Sequence, residues 1–422
     1  MLKKISLGFT LKALNILFQF LSIYLITNEL SETQMGFYYL ILNILGLQVI
    51  SELGFTKTLA IYLSHESGKI VLEKGLLKGP EKNIEKIKII FNYTFNWFKK
   101  SFLYLYLIYL IIGVFYFVYV ENNYEIFFLW ILLSFLSSLS IFSSLLTHFF
   151  EGINHINKSN IFLSIQLIFS NVLFISTLKA FELYSLLFKS IGHLIVFIIY
   201  LVYYKTLIKQ VMGIQKKINS LKVKFHMQQK KFALTSIFGF FIYGLYVPLS
   251  FNFISPEFSG KLGFSIQIVN TGISFLMIIF TVNYPLISQK ISDYDINSAR
   301  LFFLKITNAI FLLYIFGTSI FFLLKKHIYV LFNNRFLDEV SLILLFSAGL
   351  FIILNQLISS FSRLFKEELF LKSSIISAFF SLLLLTISIY FLETIIIIFS
   401  FFLTSLFIIS YNFLIFKKQL DG

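Results

Sequence analysis

Apolar positions along this chain come in runs of about 20 residues, separated by short stretches where lysine, glutamate, asparagine and serine gather. Wound as a helix rising 1.5 Å per residue, such a run spans roughly the 30 Å hydrocarbon core of a bilayer. Twelve runs fall near 7–27, 36–63, 101–120, 126–150, 161–178, 184–204, 232–254, 262–286, 301–324, 340–362, 372–392 and 394–416. The pattern predicts an all-α integral membrane protein with about twelve transmembrane helices. The first run holds Lys12, Asn15 and Gln19 and no small-residue cleavage site, so it reads as a retained helix and not a secretory signal.

Two connecting segments are longer than turns. Residues 80–100 place Ile84, Ile87, Phe91, Phe95 and Phe98 at helical spacing with lysines opposite, the pattern of an amphipathic helix lying on an anionic leaflet. Residues 205–231 carry eight lysines and no acid, and read as a basic linker between an N-terminal six-helix lobe, 1–204, and a C-terminal one, 232–422. The lobes also echo each other. Ile26, Glu29, Ser31, Gly36, Phe37 and Asn43 align, with one gap, to Ile254, Glu257, Ser259, Gly263, Phe264 and Asn270. Each set falls where the first helix of its half meets the second. An even number of spans per half gives two pseudo-symmetric lobes in the same orientation around a central cavity, which is a transporter architecture.

Charge decides the topology. Alternate loops hold 26 lysines and arginines on one side and five on the other (Lys179, Lys261, Lys325, Lys326 and Arg335). The positive-inside rule then places both termini in the cytoplasm. The net charge of +15 is thus a topology signal, and a nucleic-acid partner is not expected. The chain is 58% hydrophobic and only 13% charged, where soluble domains carry roughly 25% charge. It has no cysteine, which excludes disulfides, thiolate metal sites and cysteine nucleophiles. No P-loop, HExxH or clustered ligand set occurs, so neither an enzyme nor a cofactor is expected.

The opening stretch SLGFTLKALNILFQFLSIYLITNELSETQMGFYYLILNILGLQVISELGFTKTLAIYLS resembles that of bacterial O-antigen and polysaccharide flippases. Its features are a glycine-containing amphipathic first helix, the Gly36-Phe37 pair after a short outer loop, and Leu53-Gly54-Phe55 in the second helix. FFEGINHINKSNI after the fourth helix, SPEFSGKLGFSIQIVN, and NYPLISQKISDYD with Pro285 add to it. This is the Wzx-like branch of the multidrug/oligosaccharidyl-lipid/polysaccharide exporter superfamily. The resemblance implies two lobes opening alternately, coupled to H+ or Na+, that move undecaprenyl-pyrophosphate-linked oligosaccharide from the inner to the outer leaflet. A polysaccharide polymerase is then an expected partner, and the bacterial cytoplasmic (inner) membrane the expected location. Two alternatives stand beside it: a multidrug or organic-cation exporter of the same superfamily, and a membrane polysaccharide polymerase. A polymerase calls for a long outer loop, whereas the longest here, near 325–339, has about 15 residues.

An ionisable group inside the bilayer costs at least about 2.5–3.5 kcal/mol, so each needs a reason. Lys12 and Lys57 lie about 9 and 10 Å above the cytoplasmic edge of neighbouring antiparallel helices. A pyrophosphate headgroup between them relieves their repulsion, while snorkelling to the interface is the plain alternative. Lys189 offers a second anion contact or snorkels to the outer interface. Glu52 and His193 lie near the midplane, each about 16 Å in. They form a proton-coupling pair, or else Glu52 is held neutral or hydrogen-bonded to a hydroxyl such as that of Thr56. Asn15, Gln19, Asn43, Asn270 and Asn283 contact sugar hydroxyls or simply join helices. Lys305 reads as an interfacial anchor, and His148 has no assigned role.

Overall fold

The structure, a computed structural model, describes residues 2–52, 54–68, 70–73, 75–212, 219–292, 295–365 and 369–421. Side chains are described from residue 14 onward, apart from 57, 61, 65, 156, 219–228, 285, 288, 289, 292 and 419–421. In chain order the first half comprises α1 (Leu2–Glu29), α2 (Glu32–Leu45), α3 (Gln48–Glu52) and α4 (Phe55–Ser67). A two-stranded hairpin follows, β1 (Val71–Glu73) and β2 (Leu76–Lys78), then α5 (Glu81–Gly113), which runs on as a π-helix over Val114–Val120. The half continues with α6 (Tyr124–Gly152), α7 (Ile156–Phe181), α8 (Ser185–Tyr203) and the short α9 (Lys205–Val211). The second half holds α10 (Asn219–Tyr243), α11 (Tyr246–Phe253), α12 (Pro256–Ser292), α13 (Ile296–Leu323) and α14 (Lys325–Leu331). It ends with α15 (Glu339–Ser362), α16 (Leu371–Phe391) and α17 (Thr394–Asp421).

The fold class read from hydropathy is the one found: an all-α membrane protein, whose helices fall on the twelve apolar runs, with one small hairpin added. Two compact units divide it, Met1–Ile44 with Phe238–Gly422, and Leu45–Ile237. This division differs from the expected lobes 1–204 and 232–422. Helix α1 packs along α12, so it and most of α2 belong with the C-terminal helices. The expected basic linker 205–231 carries α9 and the start of α10, and 213–218 lie outside the described residues.

In the Leu45–Ile237 unit, the second apolar run is broken twice, after Leu45 and after Glu52. A break inside a bilayer strands backbone carbonyls, which need other donors. Helix α5 supplies them. The Tyr109 hydroxyl donates to the Leu45 carbonyl at 2.7 Å, and the Trp97 indole donates to the Ser51 carbonyl at 3.3 Å. Trp97 also stacks on Phe55, ring centroids 4.9 Å apart. The second break turns on Gly54, whose φ of +68° suits glycine and whose missing Cβ would lie 2.5 Å from the Cβ of Phe232. The Leu53-Gly54-Phe55 motif thus marks a kink.

Residues 80–100 do not form the separate surface helix that their amphipathic pattern suggests. They continue without interruption into the third span as α5, and Ile87, Phe91 and Phe98 are buried in the protein. Their apolar face packs on α3, α4, α6 and α9, so protein contacts, not lipid, explain it. The hairpin docks on α9: Gln210 accepts from the Leu77 amide at 2.8 Å and donates to its carbonyl at 2.9 Å. Asn92 of α5 donates to the Val211 carbonyl at 2.7 Å.

In the other unit, the repeated junctions meet. Gly36 of α2 lies so close to α12 that a Cβ there would sit 2.2 Å from the Pro256 carbonyl oxygen, and Gly263 faces the Tyr39 ring. Arg335 reaches Glu32 at 2.9 Å and the Leu30 carbonyl at 3.3 Å, while Lys261 reaches the other Glu32 oxygen at 3.5 Å. Thr33 donates to Glu257 at 3.0 Å, and Asn333 donates to the Thr27 carbonyl and to Asn28. All these groups lie on the lysine-poor side.

Candidate functional site

One face of α6 is polar through its C-terminal half. Ser140, Ser143, Ser144, Thr147, His148 and Glu151 recur at steps of three and four, so they form a single stripe. The stripe lines a cavity of about 370 Å³, with Gln48 of α3, Gln166 of α7 and His193 of α8 on its other walls. Most of these groups already hold a partner. Ser143 donates to Gln166 at 3.0 Å, Gln166 donates to the His193 carbonyl at 3.0 Å, and Ser140 donates to Gln48 at 3.1 Å. His148 Nδ1 and Glu151 Oε2 form a pair at 2.8 Å, and Ser159 donates to the second carboxylate oxygen at 3.3 Å. A wall of hydroxyls, amides and one imidazole–carboxylate pair both donates and accepts hydrogen bonds.

A tight loop follows Gly152 at the end of α6. A Cβ on Gly152 would lie 2.6 Å from that of Leu63, and Asn154, in the left-handed region, donates to Ser67 at 2.9 Å. Burial, reinforced by the Lys158 ammonium, holds the His155 imidazole below its ordinary pKa, which favours its neutral form. The FFEGINHINKSNI motif thus builds this loop.

The expected site residues are distributed as follows. His193 lines the cavity, and Lys189, one turn away, does not: its ammonium rests 5.2 Å over the Phe174 ring. Glu52 accepts a hydrogen bond from Thr56 at 3.0 Å, and no hydrogen bond or ion pair joins it to His193 among the described residues. The side chains of Lys12 and Lys57 lie outside the described residues. Asn15 is buried, with its carbonyl oxygen lacking a hydrogen-bond partner. Gln19 is half-buried, and Asn270 is exposed. Asn43 and Asn283 donate back to carbonyls of their own helices, those of Tyr39 and Ile279. His148 and Glu151, which carried no expected role, form the imidazole–carboxylate pair of the cavity wall. Their signal was present in the sequence as a polar stripe at helical spacing inside an apolar run.

The chain matches no protein-family model and no curated protein sequence. Its architecture does match solved structures. An inward-facing multidrug resistance MATE family transporter of the MOP superfamily superposes with a TM-score of 0.68 at 10% identity, over 96% of this chain and 94% of that one. An outward-facing MATE family transporter gives 0.65 at 11% identity, over 99% and 95%. A MOP superfamily transporter from Pyrococcus furiosus, described as having a binding pocket of reverse polarity, gives 0.63 at 12% identity, over 99% and 94%. The chain shares the fold of these structures. At such identities the likeness concerns backbone architecture, and the cavity along α6 is built from this chain's own side chains.

Proposed function

We propose that this chain is a bacterial cytoplasmic-membrane transporter with both termini in the cytoplasm. It carries undecaprenyl-pyrophosphate-linked oligosaccharide, an O-antigen or capsule repeat unit, from the inner to the outer leaflet by ion-coupled alternating access. The observation that carries this reading is the polar stripe of α6, with Gln48 and Gln166 facing it. Such a wall of hydroxyls and amides suits a saccharide, whose hydroxyls need both donors and acceptors. The likeness to transporter structures supports the coarser part of the reading, and the motif resemblance supports the finer part. Lys12, Lys57 and Lys189 are the proposed pyrophosphate contacts.

A second reading has one observation in its favour. Glu151 places a carboxylate in the cavity wall, and no lysine lines it among the described residues, a balance that suits an organic cation. The fate of lipid-linked saccharide in cells lacking the protein separates the readings. Accumulation of single repeat units on the cytoplasmic face, with surface polysaccharide lost, supports the flippase. Units that reach the outer face unpolymerised point to a polymerase. Unchanged saccharide with increased sensitivity to cationic compounds points to the exporter.

A further inference from the structure

On the opposite side of α6 from the polar stripe lies a second pocket, of about 390 Å³. Its wall is entirely apolar: Phe91 and Phe95 of α5, Phe142 and Leu145 of α6, Phe197 of α8 and Ile208 of α9 are among its lining residues. Phe91 and Leu145 form its buried wall, while Phe95, Phe142, Phe197 and Ile208 are only half-buried. Three lysines border it. The Lys99 ammonium lies 4.9 Å over the ring of Phe95, itself a lining residue. Lys205 and Lys209 are exposed and share a face of α9 with the lining residues Ile208 and Met212, since the four recur at steps of three and four. The pocket sits where the apolar run of α6 ends and the lysine-rich side begins.

We infer that this pocket binds an anionic glycerophospholipid, with an acyl chain against Phe91, Phe142 and Leu145 and its phosphate at Lys99, Lys205 and Lys209. Two independent features specify that ligand. A wall without a polar atom in contact offers a saccharide no hydrogen bond, and the Lys99 ammonium already over the Phe95 ring repels a second cation. Lysines at a leaflet boundary attract anionic headgroups, each by enough to matter in affinity. The size argues against the tail of a long polyisoprenoid carrier, because about 390 Å³ is the scale of a small-molecule pocket. This site is separate from the saccharide cavity and stands whether or not the flippase reading holds.

The test uses the purified full-length protein in nanodiscs doped with phosphatidylglycerol carrying a photoreactive diazirine in its acyl chain, or with phosphatidylcholine carrying the same group. Crosslinks are mapped by mass spectrometry. The phosphatidylglycerol probe is expected to label pocket residues of α5, α6 and α8 roughly tenfold more than its zwitterionic counterpart. The triple variant Lys99→Gln, Lys205→Gln, Lys209→Gln should bring the two probes to parity, and Leu145→Trp should abolish pocket labelling by both. Should the tryptophan variant not fold, the lysine variant alone decides. Equal labelling of the wild type by both probes overturns the inference, as does labelling unchanged in the triple variant. Displacement of the probe by a tenfold smaller amount of undecaprenyl phosphate also overturns it, by assigning the pocket to a carrier lipid.

Discussion

Gly54 and the His148–Glu151 pair carry the sharpest consequences at the scale of single residues. Gly54→Ala forces a side chain into a left-handed conformation beside Phe232, which costs about 1–3 kcal/mol and should lower the thermal unfolding midpoint of the purified protein. An unchanged midpoint would contradict the kink. Glu151→Gln removes the only carboxylate lining the cavity among the described residues. Transport should fall about tenfold, equivalent to ~1.4 kcal/mol, at unchanged protein yield. Replacing Lys12 and Lys57 together with Gln should abolish transport at normal protein level; full transport in that variant removes the anion site from the proposal. What the sequence disclosed at this scale was uneven. That Glu52 meets the Thr56 hydroxyl was among the alternatives read from sequence. Its pairing with His193 required knowing how α3 and α8 face each other, which no local pattern encodes. His148 is legible in the sequence as one member of the stripe from Ser140 to Glu151, a pattern that a single histidine does not show.

Elements were easier to find than to delimit. Apolar runs coincide with the ten stretches that are long and apolar enough to cross a membrane among the described residues, since bilayer thickness dictates their length. The same averaging hid the breaks after Leu45 and Glu52, where hydropathy stays high while the backbone turns. It also detached residues 80–100 from the span that follows, because Lys99 and Lys100 interrupt hydropathy without interrupting the helix. The aromatic donors on α5 make the breaks tolerable, and this is testable. Tyr109→Phe keeps the ring, which is fully buried, but strands the Leu45 carbonyl. It should cost about 1–3 kcal/mol, measured by unfolding of the reconstituted protein. A phenylalanine variant as stable as the wild type would mean that another donor serves that carbonyl.

Across the whole molecule, the fold is shared with structures solved both facing inward and facing outward. In the unit that contains α1 and α12, the repeated junctions are held together by Glu32, which serves both Arg335 and Lys261. Glu32→Gln weakens both ion pairs at once. The chain has no native cysteine, so Met35→Cys, at a buried position of α2, gives a clean reporter. A membrane-impermeant maleimide should label it slowly alone and about tenfold faster with Glu32→Gln, a change of ~1.4 kcal/mol in the opening equilibrium. Equal rates would show that the glycine packing at Gly36, not the ion pairs, keeps this contact shut.

Helix α5 has one more consequence. Trp97 and Tyr109 are twelve residues apart on an unbroken helix, about 18 Å along its axis, and each caps a different break of the second span. Phe91 and Phe95 line the apolar pocket just before them. One rod thus holds both joints and, at its near end, walls the apolar pocket, so a shift of α5 is shared by the two breaks and the pocket alike.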